Sequence, residues 1–148
     1  MDVLDLFQRY RDDVYRLALN YTRSPQEAED VSQTVFLKLM EQEDLIPGRE
    51  KAWLMQTTAN QCRDLLRSAW WKRTEPLSDT LRAREDPIDE TVQVVLGLPP
   101  KYRVVVYLYY YEEYSAAEIS RLLHIPVSTV TTRLSRGREI LRKKLKEV

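Results

Sequence analysis

Four scarcities narrow this 148-residue chain before any pattern is read. The single cysteine, Cys62, cannot close an internal disulfide. A stapled secreted fold is therefore excluded, and a reducing cytoplasm is the expected compartment. The single histidine, His124, is far from Cys62 in sequence, so the usual nitrogen and sulfur metal ligands are missing and no metal site is expected. Three glycines, Gly48, Gly97 and Gly137, are too few and too dispersed for a phosphate-cradling loop. No apolar run approaches about 18 residues, so no membrane insertion is expected. Met1-Asp2-Val3-Leu4-Asp5 is acidic where a signal peptide would be basic. No nucleophile–base pair stands out either, so the reading is of a non-enzyme with no catalytic residue and no cofactor.

The charge that is present balances, with 23 basic and 23 acidic residues, but it is unevenly placed. Residues 1–50 carry net −5, 51–75 net +3, 76–100 net −3 and 101–148 net +5. Two basic surfaces separated by acidic ones are expected.

The periodicity is helical nearly throughout. Leu6, Phe7, Tyr10, Val14, Leu17 and Tyr21 form one apolar stripe on a first helix. Ser24, Pro25 and Glu27 mark the start of a second with a capping box, and Ala28, Val31, Val35 and Leu39 step along it. Glu41 to Lys51, with Pro47-Gly48, reads as a loop. Ala52, Met55, Ala59, Cys62 and Leu66 then share one face of a third helix running to Arg73. Residues 74–90 hold Pro76, Pro87 and six acidic residues, which predicts a linker with a helical fragment near Leu77 to Arg84. The expected architecture is all-α: two small helical domains, 1–73 and 91–148, joined by the acidic linker 74–90. Domains of that size bury little surface, which suits a protein that works bound to something larger.

The second domain opens with a short helix, Asp89 to Leu96. Tyr102, Val105, Val106 and Tyr109 mark the next. Ser115 with Glu118 makes a capping box before Ile119, Leu122 and Leu123. The turn His124-Ile125-Pro126 follows, then a helix stepping through Val127, Val130, Leu134, Leu141 and Leu145. Short helix, tight turn and long helix describe a helix-turn-helix. A recognition helix needs short polar side chains at its N-terminal end to reach base edges, and Ser128, Thr129, Thr131, Thr132 and Arg133 supply them. Arg136, Arg138, Arg142, Lys143, Lys144 and Lys146 extend it as a cationic helix able to neutralise phosphates. The same pattern is open to a blander reading, a solvated helix whose basic C-terminus suits its dipole.

Two further stretches are open in the same way. The third helix mixes Gln56, Asn60, Arg63, Asp64 and Arg67 with Trp53, Trp70 and Trp71, which suits unstacked bases and phosphates or else an amphipathic core helix, with Trp53 inside. The second carries Asp30, Gln33, Phe36 and Leu37 outside its main stripe, which suits a docked partner helix or simply a wide core stripe. The tyrosines at 107, 109, 110, 111 and 114 read as core and shallow surface, and His124 as structural.

Taken together, these residues resemble an extracytoplasmic-function (ECF) sigma factor of bacterial RNA polymerase. Glu27-Ala-Glu-Asp-Val-Ser-Gln-Thr-Val-Phe-Leu-Lys-Leu-Met40 is similar to the family's polymerase-binding helix. Ala52-Trp-Leu-Met55 and Asn60-Gln-Cys-Arg-Asp64 are similar to its −10 helix. Leu98-Pro-Pro-Lys-Tyr-Arg103 and Tyr114 to Arg138 are similar to its −35-binding domain. The resemblance implies a sigma region 2 bundle and a sigma region 4 helix-turn-helix. It implies an alternative sigma factor that binds core polymerase, recognises −10 and −35 elements and helps melt the promoter. Asp30, Gln33, Phe36 and Leu37 would contact the β′ clamp helices. Leu45 to Lys51 would hold a flipped base. Asn60, Arg63, Asp64 and Arg67 would meet the −10 strand, and Ser128, Thr129, Thr132, Arg133 and Arg136 the −35 element. The implied partners are core RNA polymerase, through the β′ clamp and β flap, promoter DNA, and an anti-sigma factor covering the polymerase-binding surfaces.

The chain departs from the family pattern at His124, where glycine is usual, at Pro126, and at Thr34 and Met40. The rival classes are a self-standing helix-turn-helix regulator with a dimerising N-terminal half, and a non-DNA interaction protein such as a decoy.

Overall fold

The computed structural model describes residues 2–67 and 88–146, and every described element is helical. The chain divides into two compact units, Met1–Ile88 and Asp89–Val148. Trp70, Trp71, the side chain of Leu145 and the helical fragment expected at Leu77 to Arg84 lie outside the described residues.

The first unit packs α1 (Val3–Thr22), α2 (Pro25–Met40) and α3 (Glu50–Arg67) around one core. α1 begins where the Asp2 carboxylate accepts the Asp5 N–H at 3.2 Å, satisfying one orphan donor of the first turn. It ends at Arg23, which is left-handed (φ 54°) and donates its N–H to Leu19 O at 2.7 Å. Ser24 then caps α2, accepting the Glu27 N–H at 3.3 Å, and Pro25 stands in the first turn, where its missing donor costs nothing. The expected capping box is only half formed. The Ser24 N–H goes to Thr22 Oγ1 at 3.3 Å, because the two-residue connection brings that hydroxyl back over the cap.

The core of this unit is Leu6, Val14, Leu17 and Leu19 from α1, Ala28, Val31, Val35, Phe36 and Leu39 from α2, and Leu54, Met55, Ala59 and Cys62 from α3. Two expectations need correction. α3 starts at Glu50, inside the expected loop, and its buried stripe runs through Leu54 and Thr58, while Ala52 is exposed and Leu66 half-buried. Thr58 sits wholly inside because its hydroxyl donates to Leu54 O at 2.7 Å, so burial leaves no orphan group. Trp53 is half-buried. Burial pushes the Cys62 thiol far above its ordinary range.

The second unit contains α4 (Glu90–Leu96), α5 (Pro100–Val106), a π-helical turn (Tyr107–Tyr111), α6 (Ala116–Leu123) and α7 (Val127–Lys146). The Asp89 carboxylate caps α4 by accepting the Val92 N–H at 2.9 Å and also accepts the Tyr111 hydroxyl at 3.2 Å. The Lys144 ammonium donates to Gly97 O at 2.9 Å, a cation at the carbonyl end of α4. The π turn closes with Glu112 N–H to Tyr107 O at 3.2 Å. The wider turn rotates the residues after it relative to an unbroken α-helix. Within it Tyr107 and Leu108 are wholly buried, whereas Tyr109, expected on the inner stripe, is 39% exposed beside Tyr110. Among the described residues no helix is long and apolar enough to cross a membrane, and no cluster of three or more His, Cys, Asp or Glu could hold a metal.

Candidate nucleic-acid interface

α6 and α7 form the helix-turn-helix. Here the capping box is complete: Ser115 Oγ accepts the Glu118 N–H at 3.1 Å, and Glu118 Oε1 accepts the Ser115 N–H at 3.0 Å. The Ser115 backbone N–H, and after it the Ser115 side-chain hydroxyl, holds the Glu118 carboxyl below its ordinary range. His124 ends α6 in the left-handed region, φ 57° and ψ 45°, the conformation for which glycine is favoured. The turn is stitched from both sides. Ile125 N–H donates to Ser120 O at 3.2 Å, and the Ser120 hydroxyl donates to Ile125 O at 2.6 Å. Pro126 then supplies the first carbonyl of α7, accepting from the Thr129 and Val130 N–H groups at 3.0 and 3.1 Å.

Ile119, Leu122, Leu123, Val130 and Leu134 lock the two helices together from inside. The opposite side of α7 is left polar: Ser128, Thr131, Thr132 and Arg136 are exposed, and Thr129 and Arg133 half-buried. The Thr131 and Thr132 hydroxyls both donate to Ser128 O, at 3.0 and 2.9 Å, which uses their protons within the helix and leaves their oxygens as acceptors. A groove of about 350 Å³ runs along this face. Ser128, Thr129, Thr132, Arg133 and Arg136 all line it, together with Lys101 and Tyr102 from α5.

The two walls of the groove belong to helices that approach closely at Gly137. A Cβ there would stand 2.6 Å from Val106 Cγ2 and 3.5 Å from Tyr102 Cβ, so only glycine lets the two helices approach this closely. Neither Lys101 nor Tyr102 was expected at this site. They lie far upstream in sequence, and the one sign of the approach is a glycine in the interior of a helical pattern.

In the first unit, Asn60, Arg63, Asp64 and Arg67 lie along one side of α3. Asn60 Oδ1 accepts from Gln56 Nε2 at 3.1 Å and from Arg63 Nη2. Asp64 and Arg67 form an exposed i,i+3 ion pair at 3.8 Å, worth little in water. Lys38 donates to Gln61 Oε1 at 2.9 Å, tying α2 to α3. Of the loop expected to hold a flipped base, Pro47-Gly48 forms a tight turn, with Gly48 at φ 82° and Arg49 N–H to Ile46 O at 2.9 Å. Glu50 and Lys51 belong to the first turn of α3 instead.

On α2, Asp30 and Gln33 are exposed and Leu37 is 58% exposed. Phe36 is only 5% exposed and packs edge-on against Phe7, ring centroids 4.6 Å apart. The apolar surface there consists of Leu37 and Met40, with Phe7 at its edge.

The family "Sigma-70 region 2" matches residues 6–72, and "Sigma-70, region 4" matches residues 88–141. ECF RNA polymerase sigma factor SigW of Bacillus subtilis is 34% identical across 99% of this chain and 89% of its own length. The chain belongs to the ECF sigma factor family. It is an alternative sigma factor directing promoter-specific transcription initiation, and the family is not one of enzymes. ECF sigma factor SigE of Mycolicibacterium smegmatis is 32% identical over 93% of this chain, which spans 59% of that longer relative. Two solved structures share the fold of this sigma factor. One is RpoE of Bartonella quintana, in complex with the anti-sigma factor NepR, at TM-score 0.68, 18% identity, and coverage of 95% of this chain and 94% of that one. The other is CnrH, in complex with the cytosolic domain of CnrY, at TM-score 0.67, 21% identity, and coverage of 98% and 88%.

Proposed function

We propose that α7 reads the −35 element in the major groove, while the polar side of α3 meets the −10 strand and helps hold the promoter open. The observation that carries this reading is the α7 groove. The short hydroxyl side chains Ser128, Thr129 and Thr132 line it beside the cations Arg133 and Arg136, and it is lined by no carboxylate. Hydroxyls and guanidinium groups at the N-terminal end of a groove-entering helix are the donors and acceptors that base edges and phosphates require. Ser128, Thr129, Thr132, Arg133 and Arg136 therefore act together as the −35 reader. In the −10 reader, Asn60 accepts from Gln56 and Arg63, which orients the Arg63 guanidinium as well as presenting its own amide. Arg67 and Asp64 lie further along the same helix.

Core RNA polymerase docks on α2. Asp30, Gln33 and Leu37 supply the contact surface toward the β′ clamp, and Phe36 supports it from beneath. The second unit engages the β flap. Domains at 1–73 and 91–148 with a connecting stretch at 74–90 would each bind weakly, and joining them on one chain raises the effective concentration of the second contact. The RpoE and CnrH complexes with NepR and CnrY support an anti-sigma factor as the partner that holds this protein inactive. Its place of work is the cytoplasm, with polymerase and DNA.

The test is transcription by the reconstituted holoenzyme from promoters carrying single-base changes in the −35 element. Arg133→Ala should relax base preference there, with about 1–3 kcal/mol of discrimination lost at the contacted position. An unchanged preference profile refutes the assignment of α7.

A further inference from the structure

We infer that Lys101, on the first turn of α5, is a phosphate clamp that forms the second wall of the −35 site and sets how α7 sits in the major groove. This deepens the assignment of α7 to the −35 element and rests on it.

Lys101 is exposed, and it lines the same groove as Arg133 and Arg136 although it comes from a different helix. Among the described residues no carboxylate pairs with Lys101, Arg133 or Arg136. Its ammonium lies 5.2 Å from the ring centroid of Tyr102, a cation–π placement that narrows where the charge can go. Tyr102 is half-buried, and its Cβ would stand 3.5 Å from a Cβ at position 137. The close crossing at Gly137 therefore sets the register between Lys101 and the arginines one turn or less away on α7. A helix lying in the major groove is flanked by the sugar–phosphate backbone, and neighbouring elements of a helix-turn-helix take phosphates on that rim. A lysine is suited to that contact as a mobile point charge, whereas a base-edge reader would use a planar fork.

The test uses holoenzyme reconstituted with the host's core polymerase and a promoter fragment on which it starts transcription. Affinity is measured across a salt series for wild type, Lys101→Ala, Lys101→Arg and Arg133→Ala. Removing one phosphate contact should make the slope of log affinity against log salt shallower by about 0.9. The affinity gap between wild type and Lys101→Ala then narrows by about 3.5-fold between 50 and 200 mM salt. Base preference across the −35 element should not change, and Lys101→Arg should restore the wild-type slope.

A wild-type slope in Lys101→Ala, with Arg133→Ala still shifting −35 preference, overturns the clamp and leaves the α7 reading standing. No effect of Arg133→Ala on preference overturns the α7 reading itself. A changed base preference in Lys101→Ala makes Lys101 a base reader and overturns the clamp. Weakened polymerase binding with an unchanged salt slope moves Lys101 to a protein interface and overturns it as well.

Discussion

Gly137 is the point on which the second unit's geometry turns, and Gly137→Ala tests it. The added methyl would lie 2.6 Å from Val106 Cγ2, about an ångström inside a normal carbon–carbon contact. Val106 is 1% exposed, and a β-branched side chain on a helix holds one strongly preferred rotamer, so it has little room to yield. Overpacking of this kind costs about 1–3 kcal/mol. Alanine offsets part of that, because it is about 1 kcal/mol better than glycine within a helix. The net expectation is a loss of up to about 2 kcal/mol, at roughly 4–8 °C in melting temperature per kcal/mol for a unit this small.

Hydrogen exchange in the full chain reads the effect locally, with protection falling at α5 and α7 amides and unchanged in α1 to α3. Val106→Ala should partly rescue it, so that the double variant is more stable than the sum of the singles predicts. The strain also moves α7 away from Lys101 and Tyr102, so −35 affinity should fall more than stability alone explains. A Gly137→Ala protein that melts at or above the wild-type temperature, with normal promoter affinity, refutes the close-crossing argument.

Three further outcomes follow from the same structure. His124→Gly should stabilise the second unit by about 0.5–1 kcal/mol, since it relieves a left-handed residue at the cost of a more flexible unfolded chain, and a lower melting temperature would contradict this. Glu118 has its carboxyl held down by Ser115, so its contribution is present above the ordinary glutamate value of 4.5 and is lost as pH falls through the lower folded value. Protection of α6 amides should drop across that acid range in wild type and stay level in Glu118→Gln. Phe36→Ala should cost about 3–5 kcal/mol of stability in the first unit, whereas Leu37→Ala should leave the melt unchanged and weaken polymerase binding. Equal effects of the two on stability would overturn the division between support and surface.

The elements with local signatures were legible in the sequence. Ser24-Pro25 and Ser115 with Glu118 start helices where capping chemistry requires it, and the turn at His124 to Pro126 stands where the apolar period breaks. What local pattern could not carry is what depends on a neighbour. Phe36 lies off the α2 stripe but is buried because Phe7 of α1 meets it. Thr58 reads as polar but is buried because its hydroxyl bonds within its own helix. Tyr109 leaves the inner face within a π turn, and a run of tyrosines does not announce that turn. At the groove, the five α7 residues share one helix face and are the five that the family resemblance implies, whereas the polar start of the helix read by itself adds Thr131, which does not line the groove. Lys101 and Tyr102 reach the same groove only through a tertiary crossing, of which Gly137 is the single local trace.

The central claim is that this sigma factor, through α3 and α7, selects promoters for core polymerase. The most direct test is transcription from a genomic fragment library by core RNA polymerase with and without the full chain. New start sites that share two upstream motifs at fixed spacing are the predicted result, with the upstream motif scrambled in products selected by Arg133→Ala. Polymerase that binds the protein yet gains no new start sites would contradict it.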